Sequence, residues 1–158
     1  MHFSDGNIDG VVLMPYKKNT DKRGWLVELF RTDELDESLA PAMAYVSATI
    51  PGITRGPHEH IDQTDFFGFI GPSTFKVYLW DARKHSSTYG KRMVFLAGEA
   101  DPMAVVIPPG IVHAYRNVGT EDGWVFNGPN RLYAGKGKKE KVDEIRHEEE
   151  NNSPYIID

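Results

Sequence analysis

Two histidine-bearing segments, each bounded by glycine and proline, constrain this chain more than anything else in it. The first, residues 52–71, reads GITRGPHEHIDQTDFFGFIG, and the second, residues 108–117, reads PPGIVHAYRN. His58 and His60 are two apart, so on a strand both imidazoles project from one face. Asp65 and Phe67 follow after a short polar connection, residues 61–64. In the second segment Pro108-Pro109-Gly110 is turn chemistry, and the strand behind it sets His113, Tyr115 and Asn117 on one face. Strands that each deliver histidine inward predict a small β-barrel with a polar interior, and that interior is the expected site of function.

The rest of the chain reads as short strands between glycine and proline turns, the spacing of a sandwich or barrel. The apolar run from Ile8 to Met14 predicts a first strand ended by Pro15. Trp25 to Phe30 reads as a strand buried on both faces. Thr32 caps a short helix over residues 33–37, with acids in its first turn and Pro41 as its stop. Strands follow at residues 44–50, 66–71, 75–80, 92–97, 103–107 and 124–127, with the polar loop 82–90 between the third and fourth of these. Phe66, Phe67, Phe69, Tyr78 and Trp80 read as barrel wall and core. Residues 135–158 form a charged arm, Lys-rich and then acidic, in which 135–150 reads as either a short terminal helix or an ordered arm. The Lys136 to Lys141 cluster reads as solvated surface.

At 158 residues the chain is expected to be one domain over residues 1–158, long enough to bury a core. No stretch approaches the roughly 18 apolar residues of a membrane span. The start, MHFSDGNIDG, lacks the basic and apolar regions of a signal peptide, so no membrane partner and a cytoplasmic location are expected. With no cysteine there is neither a disulfide framework nor a thiolate ligand or nucleophile. A net charge of −5 argues against nucleic acid as a partner, which would require a basic face. A few focused arginines can still bind phosphate in an acidic protein.

Gly52, His58-x-His60 and Asp65, followed by Pro108, His113 and Asn117, resemble the paired motifs of the cupin superfamily. More of the chain resembles one branch of it, the dTDP-4-dehydrorhamnose 3,5-epimerases. The matching stretches are Asp21-Lys22-Arg23-Gly24, Arg55-Gly56-Pro57-His58, Asp81-Ala82-Arg83, Ser87-Thr88-Tyr89-Gly90-Lys91, Ile107-Pro108-Pro109-Gly110 and Asn130-Arg131-Leu132-Tyr133-Ala134. Several motifs in order over nearly the whole chain are far more specific than any one of them.

The resemblance implies an all-β double-stranded β-helix, a jelly-roll barrel, with one or two short helices. It implies an isomerase acting on a nucleotide-diphosphate 4-keto-6-deoxyhexose for polysaccharide precursor biosynthesis, without a cofactor. In it, His58 takes the place of the catalytic base, Tyr133 that of the acid on the opposite face of the sugar, and Glu149 that of the carboxylate partnering the base. Arg23 and Arg55 take positions that bind the nucleotide diphosphate, with His113, Asn117 and Glu28 as further substrate-binding residues. The resemblance also implies a homodimer in which the N-terminal region, residues 8–31, crosses to the partner. The chemistry suits these types: a ketone acidifies its neighbouring C–H bonds, an imidazole accepts a proton near neutral pH, and a phenol can return one.

The chain departs from the family pattern with His60 in place of Gln and Asp65 in place of Lys. His58, His60, Asp65 and His113 are also residue types, at a spacing, that hold a divalent metal such as Fe, Mn, Zn or Ni. A metal-dependent oxygenase or metalloisomerase therefore stays open beside the epimerase, as does a non-catalytic sugar-binding relative.

Overall fold

Residues 74–81, TFKVYLWD, show how sequence pattern becomes layers. Phe75, Val77 and Leu79 alternate with Lys76, Tyr78 and Trp80, and successive strand residues point to opposite faces. The first three enter the main core, whereas Tyr78 and Trp80 are buried in a separate cluster on the other face. A computed structural model describes residues 2–158. Its strands in chain order are β1 (Ser4–Asp5), β2 (Val12–Pro15), β3 (Asn19–Asp21), β4 (Gly24–Leu26), β5 (Tyr45–Thr49), β6 (Thr54–Glu59) and β7 (Asp65–Phe69). They continue as β8 (Thr74–Asp81), β9 (Lys91–Gly98), β10 (Met103–Ile107), β11 (Ile111–Asn117), β12 (Gly123–Asn127) and β13 (Ile145–Arg146).

Two sheets face each other as a jelly roll. One runs β1-β9-β8-β11-β6-β13 and the other β2-β10-β7-β12-β5, while β3 and β4 form a separate hairpin. Between the sheets Phe69, Phe75 and Tyr115 meet edge to face or tilted, with ring centroids 5.5–5.6 Å apart. The outer face of the first sheet is covered by the chain's ends: Phe3, Tyr155 and Ile157 pack on Tyr78, Trp80, Val112 and Ala114. On the second sheet, Tyr16, Leu35 and Leu39 cover Phe66, Ala104 and Val106.

The structure corrects several expectations. The first long strand is β2, beginning at Val12 rather than Ile8. A turn at Asp9-Gly10, with Gly10 at φ +84°, separates the buried Ile8 from it. Pro15 closes β2 without cost because β2 is a sheet edge bonded only to β10. Trp25 to Phe30 is not a buried strand: only Gly24–Leu26 is extended, in a hairpin with β3, and Trp25 and Leu26 are exposed. No α-helix occurs among the described residues. Thr32 caps nothing; a single 3-10 turn at Glu37–Leu39 is capped by Asp36, whose carboxylate accepts from the Ser38 N–H at 2.9 Å. So few residues before Pro41 cannot nucleate more. The arm at 135–150 carries two 3-10 turns, Lys136–Lys138 and His147–Glu149, joined through β13. Positive φ at Ala134, Gly135, Gly137 and Lys138 prevents a regular helix there.

Candidate active site

β6 and β11 run antiparallel with His58 opposite His113. A bulge shifts their register between His113 and Tyr115, and pairing resumes with Tyr115 opposite Arg55. Gly56 makes this crossing possible: at φ +84°, an added Cβ would sit 2.5 Å from the His113 carbonyl oxygen. His60 lies just beyond the end of β6, and Asp65 opens β7. The three imidazoles converge from these elements, with ring centroids 4.4 Å apart for His58 and His113 and 5.8–5.9 Å for the other pairs. One nitrogen from each ring lies within 4.8 Å of the others.

Asp65 is the buried anion of this cluster, 1 % exposed. Its Oδ1 accepts from Gln63 Nε2 and Asn127 Nδ2, each at 2.9 Å. Its Oδ2 lies 3.1 Å from His60 Nε2 and 3.2 Å from His113 Nε2, ion-pair distances whose directions fall short of hydrogen bonds. His113 Nδ1 lies 3.0 Å from the Ile111 carbonyl oxygen, which can only accept, so that nitrogen carries a proton. Its Nε2 is then buried against a carboxylate oxygen with no hydrogen-bond partner. His60 Nδ1 contacts the carbonyl oxygen of Asp143, whose carboxylate accepts the N–H groups of Ile61, Asp62 and Gln63 at 2.8–2.9 Å.

These surroundings divide the titration of the cluster. Burial, and then the nearby His113 and His60 rings, push His58 down to about 2, so it is held neutral. Burial would also lower His60, but Asp65 outweighs it and, with Asp143, raises the ring to about 9. Asp65 is held well below the usual carboxylate range: burial opposes this, and His113 and His60 overcome it. Burial lifts Tyr115 to about 12.

The cluster opens onto a cavity of about 1430 Å³ lined by His58, His60, Asp65, Arg55 and Tyr133, among others. Of the remaining expected site residues, His113 lies behind His58, 2 % exposed. Asn117 is outside the lining: its amide accepts from Ser73 and the Gly119 N–H and donates to the Thr49 and Glu121 carbonyls, which makes it a loop pin. Arg23 projects from the β3–β4 hairpin, 83 % exposed and paired with Asp21 at 2.5 Å. Glu28 borders a smaller cavity and pairs with Arg31 at 3.4 Å. Glu149 is not brought to His58; its exposed carboxylate lies 3.8 Å from Arg146.

Other residues reach the site without having stood out in the sequence. Asn127 is legible only as the inward position that ends β12; it joins Asp65 to the Tyr45 hydroxyl, 2.9 Å from each. Gln63 sits inside the polar connection, and Asp143 in the charged arm gives no local signal.

A model of the family described as dTDP-4-dehydrorhamnose 3,5-epimerase matches residues 5–140. The chain is 34 % identical over 128 residues to a probable low-salt glycan biosynthesis epimerase, Agl13 of Haloferax volcanii, covering 80 % of this chain and 81 % of that protein. It is 38 % identical over 113 residues to the spore coat polysaccharide biosynthesis protein SpsL of Bacillus subtilis, covering 71 % and 73 %. Among solved structures, a dTDP sugar isomerase from Desulfovibrio desulfuricans matches with a TM-score of 0.77 at 20 % identity, over 88 % of this chain and 84 % of that one. ChmJ, a 3'-monoepimerase from Streptomyces bikiniensis crystallised with dTDP-quinovose, matches with a TM-score of 0.73 at 21 % identity, over 85 % and 69 %. These structures share the jelly roll, and the sequence matches carry the relationship further: the chain belongs to the dTDP-4-dehydrorhamnose 3,5-epimerase family.

Proposed function

We propose that this isomerase epimerises a nucleotide-diphosphate 4-keto-6-deoxyhexose at C3, C5 or both, supplying a precursor for polysaccharide assembly in the cytoplasm. The observation that carries the reading is that the His58 imidazole and the Tyr133 phenol line the same cavity. His58 takes the proton from the carbon next to the ketone. The electron pair of that C–H bond moves into the new C=C bond, and the carbonyl electrons collect on oxygen as an enolate. Tyr133 delivers a proton to the carbon from the other face, the C=O re-forms, and the configuration is inverted. Arg55 stands on the lining, its Nε held on Thr49 Oγ1 at 2.8 Å and its Nη2 on the Ala48 carbonyl at 2.7 Å, and is the cation this reading gives to an anionic substrate.

Solvent-deuterium incorporation at C3 and C5 tests this across dTDP-, GDP- and UDP-linked keto-sugars. His58→Asn is expected to abolish both exchange and product. Tyr133→Phe is expected to keep exchange through His58 while inverted product falls steeply. No exchange with any substrate defeats the reading, and retained inversion in Tyr133→Phe defeats the two-face assignment.

A second reading rests on a separate observation. Asp65 Oδ2 and His113 Nε2 are buried without hydrogen-bond partners beside two further imidazoles, which fits a divalent cation held by His58, His60, His113 and Asp65. Such an ion would supply Lewis-acid polarisation of the ketone. Elemental analysis of protein purified without a histidine tag decides it: one metal per chain, lost in His60→Ala, supports this reading, and substoichiometric metal indifferent to that change removes it.

We further propose that one jelly-roll domain of this chain pairs with a second copy, residues 8–31 crossing between them. The support is that Val12 and Leu13 on edge strand β2, and Trp25 and Leu26 on the hairpin, are large apolar residues exposed in the single chain. Light scattering at micromolar concentration is expected to give twice 17.8 kDa; a mass of 17.8 kDa contradicts it.

A further inference from the structure

Beyond the histidines, the hydrogen bonds of the cavity wall leave one proton unspent. Asn127, 1 % exposed, ends β12 opposite Tyr45, the first residue of β5. Its amide has only one workable orientation. The Phe66 N–H can only donate, so the atom 3.2 Å from it is the Asn127 oxygen. Nδ2 then holds both amide protons; one goes to the Asp65 carboxylate and the other to the Tyr45 hydroxyl, each at 2.9 Å. The Tyr45 oxygen is therefore the acceptor in that contact, and its own proton is left to donate. Among the described residues no acceptor takes it.

Where that proton stands is the second observation. Tyr45 is 46 % exposed and lines the large cavity together with His58 and Tyr133. Its strand is patterned in the reverse of an ordinary half-buried strand. Tyr45, Ser47 and Thr49 turn inward, where Ser47 Oγ meets the Tyr115 hydroxyl at 3.2 Å, and the apolar Val46 turns out to solvent. His58 belongs to the first sheet and Tyr45 to the second. A sugar in the cavity they share meets the base from one sheet and the phenol from the other.

The other donors beside the histidines are engaged. His60 has Nδ1 on the Asp143 carbonyl and Nε2 beside the Asp65 carboxylate, Gln63 turns its Nε2 to Asp65 and His60, and His113 lies buried behind His58. Asp65, moreover, puts a negative charge where the family pattern has lysine. An enolate forming beside His58 requires a donor aimed at its oxygen, and Tyr45 offers one already fixed in place. Burial raises the Tyr45 phenol above its ordinary value; the Asn127 bond and Arg55 oppose this, while Asp65 and Glu144 reinforce it, so the phenol keeps its proton at neutral pH.

We infer that Tyr45 is a further catalytic residue: its hydroxyl donates to the ketone oxygen of the keto-sugar and holds the enolate that forms when His58 takes the neighbouring proton. This deepens the epimerase reading above and rests on it. Tyr45 itself transfers no proton. As the C–H electron pair forms the C=C bond, the carbonyl pair moves onto oxygen and the O–H···O contact tightens. As Tyr133 protonates the carbon, the C=O re-forms and the contact relaxes. A contact stronger in the transition state than in the bound substrate raises the saturating rate rather than the affinity. The Asn127 bond to the phenol oxygen serves the same end, because a hydroxyl that accepts is a stronger donor.

Tyr45→Phe, which keeps the ring, tests this in the full chain with a keto-sugar that the wild type exchanges. At saturating substrate both deuterium exchange and inverted product are expected to fall about 10²–10³-fold, the cost of one lost oxyanion donor, in a protein whose melting curve shows it folded. The two are expected to fall by the same factor, because both pass through the enolate, with little change in the substrate concentration for half-saturation. Tyr133→Phe differs in keeping exchange. Replacing Tyr45 by 3-fluorotyrosine retains the hydroxyl as a stronger donor and is expected to keep at least the wild-type rate. A saturating rate within about threefold of wild type in Tyr45→Phe overturns the inference. Exchange kept while inversion alone is lost also overturns it, since Tyr45 would then return the proton, as does a loss confined to the substrate concentration, which would make it a binding group. If Tyr45→Phe fails to fold, the fluorinated protein decides: a rate lowered roughly tenfold or more overturns the inference. Wild-type protein that exchanges no keto-sugar defeats the epimerase reading and this inference together, whereas wild-type exchange that Tyr45→Phe leaves unchanged defeats the inference alone.

Discussion

At the scale of single residues, the polar interior works because one amide serves three partners. Asn127 donates to Asp65 and to the Tyr45 hydroxyl, and its Oδ1 accepts the Phe66 N–H at 3.2 Å. Asn127→Leu, close in size, leaves the Phe66 N–H and one side of the Asp65 carboxylate unsatisfied. The expected cost is about 1–3 kcal/mol of unfolding free energy, read by denaturant titration, with slowed proton exchange because Asp65 no longer holds His60 in place. Asp81 offers a test that titration can read. Its fully buried carboxylate accepts from Arg83 Nε and Nη2 at 2.9 Å and from Ser86 and Thr88 hydroxyls at 2.6 Å. Burial would raise this acid, but those donors, Arg83 foremost, hold it well below the usual carboxylate range. Its folded value is therefore depressed, so its contribution to stability is complete above the unfolded value of about 4 and is lost as pH falls towards the folded one. Unfolding free energy measured from neutral pH downward should fall below about pH 4, and Asp81→Asn, less stable at neutral pH, should show a smaller part of that fall.

At the scale of elements, the crossing of β6 and β11 determines where the histidines stand. Gly56→Ala places a methyl group against the His113 carbonyl and demands φ +84° of a residue that resists it. A loss on the order of 1–3 kcal/mol is expected from the backbone alone. Thermal melting reads that loss, and altered imidazole NMR signals of His58 and His113 read the displacement; an unshifted spectrum would show the crossing to be tolerant. The elements differ in how visible they are beforehand. β8 and β11 announce themselves, because alternation and a Pro-Pro-Gly turn are local properties that tertiary packing merely adopts. The segment Trp25–Phe30 misleads, since an apolar run looks the same whether it is buried or held out on a hairpin. Thr32 misleads for another reason: Asp36, nearer Pro41, offers the backbone a competing cap. The site divides along the same line. His58, His60 and Asp65 fall in one short motif segment and His113 in another, so they can be read as a set, whereas Asp143 comes from an arm whose path is decided by positive-φ residues and long-range hydrogen bonds.

At the scale of the molecule, the two ends of the chain complete the fold, and this explains why Tyr78 and Trp80 are buried on the side facing away from the main core. Tyr155 lies with its ring 5.5 Å from Trp80 and 4.7 Å from His147, Ile157 packs on the same cluster, and Asp158 takes Lys76 Nζ at 2.9 Å. His147 in turn bonds Glu59 at 2.9 Å, and Glu59 is the residue after His58 on β6. The arm thus links the outer face of one sheet to the strand that carries the proposed base. Tyr155→Ala/Ile157→Ala removes the cover from Tyr78 and Trp80 and should cost about 3 kcal/mol or more, given roughly 1.5–3 kcal/mol for each large apolar side chain buried. Because His147 loses the ring packed against it, proton exchange should fall beyond what the unfolded fraction explains, at a temperature where the variant is still folded. A Trp80 fluorescence change with unaltered exchange would confine the arm to a structural role, and an unaltered melting temperature would show that it only rests on the sheet.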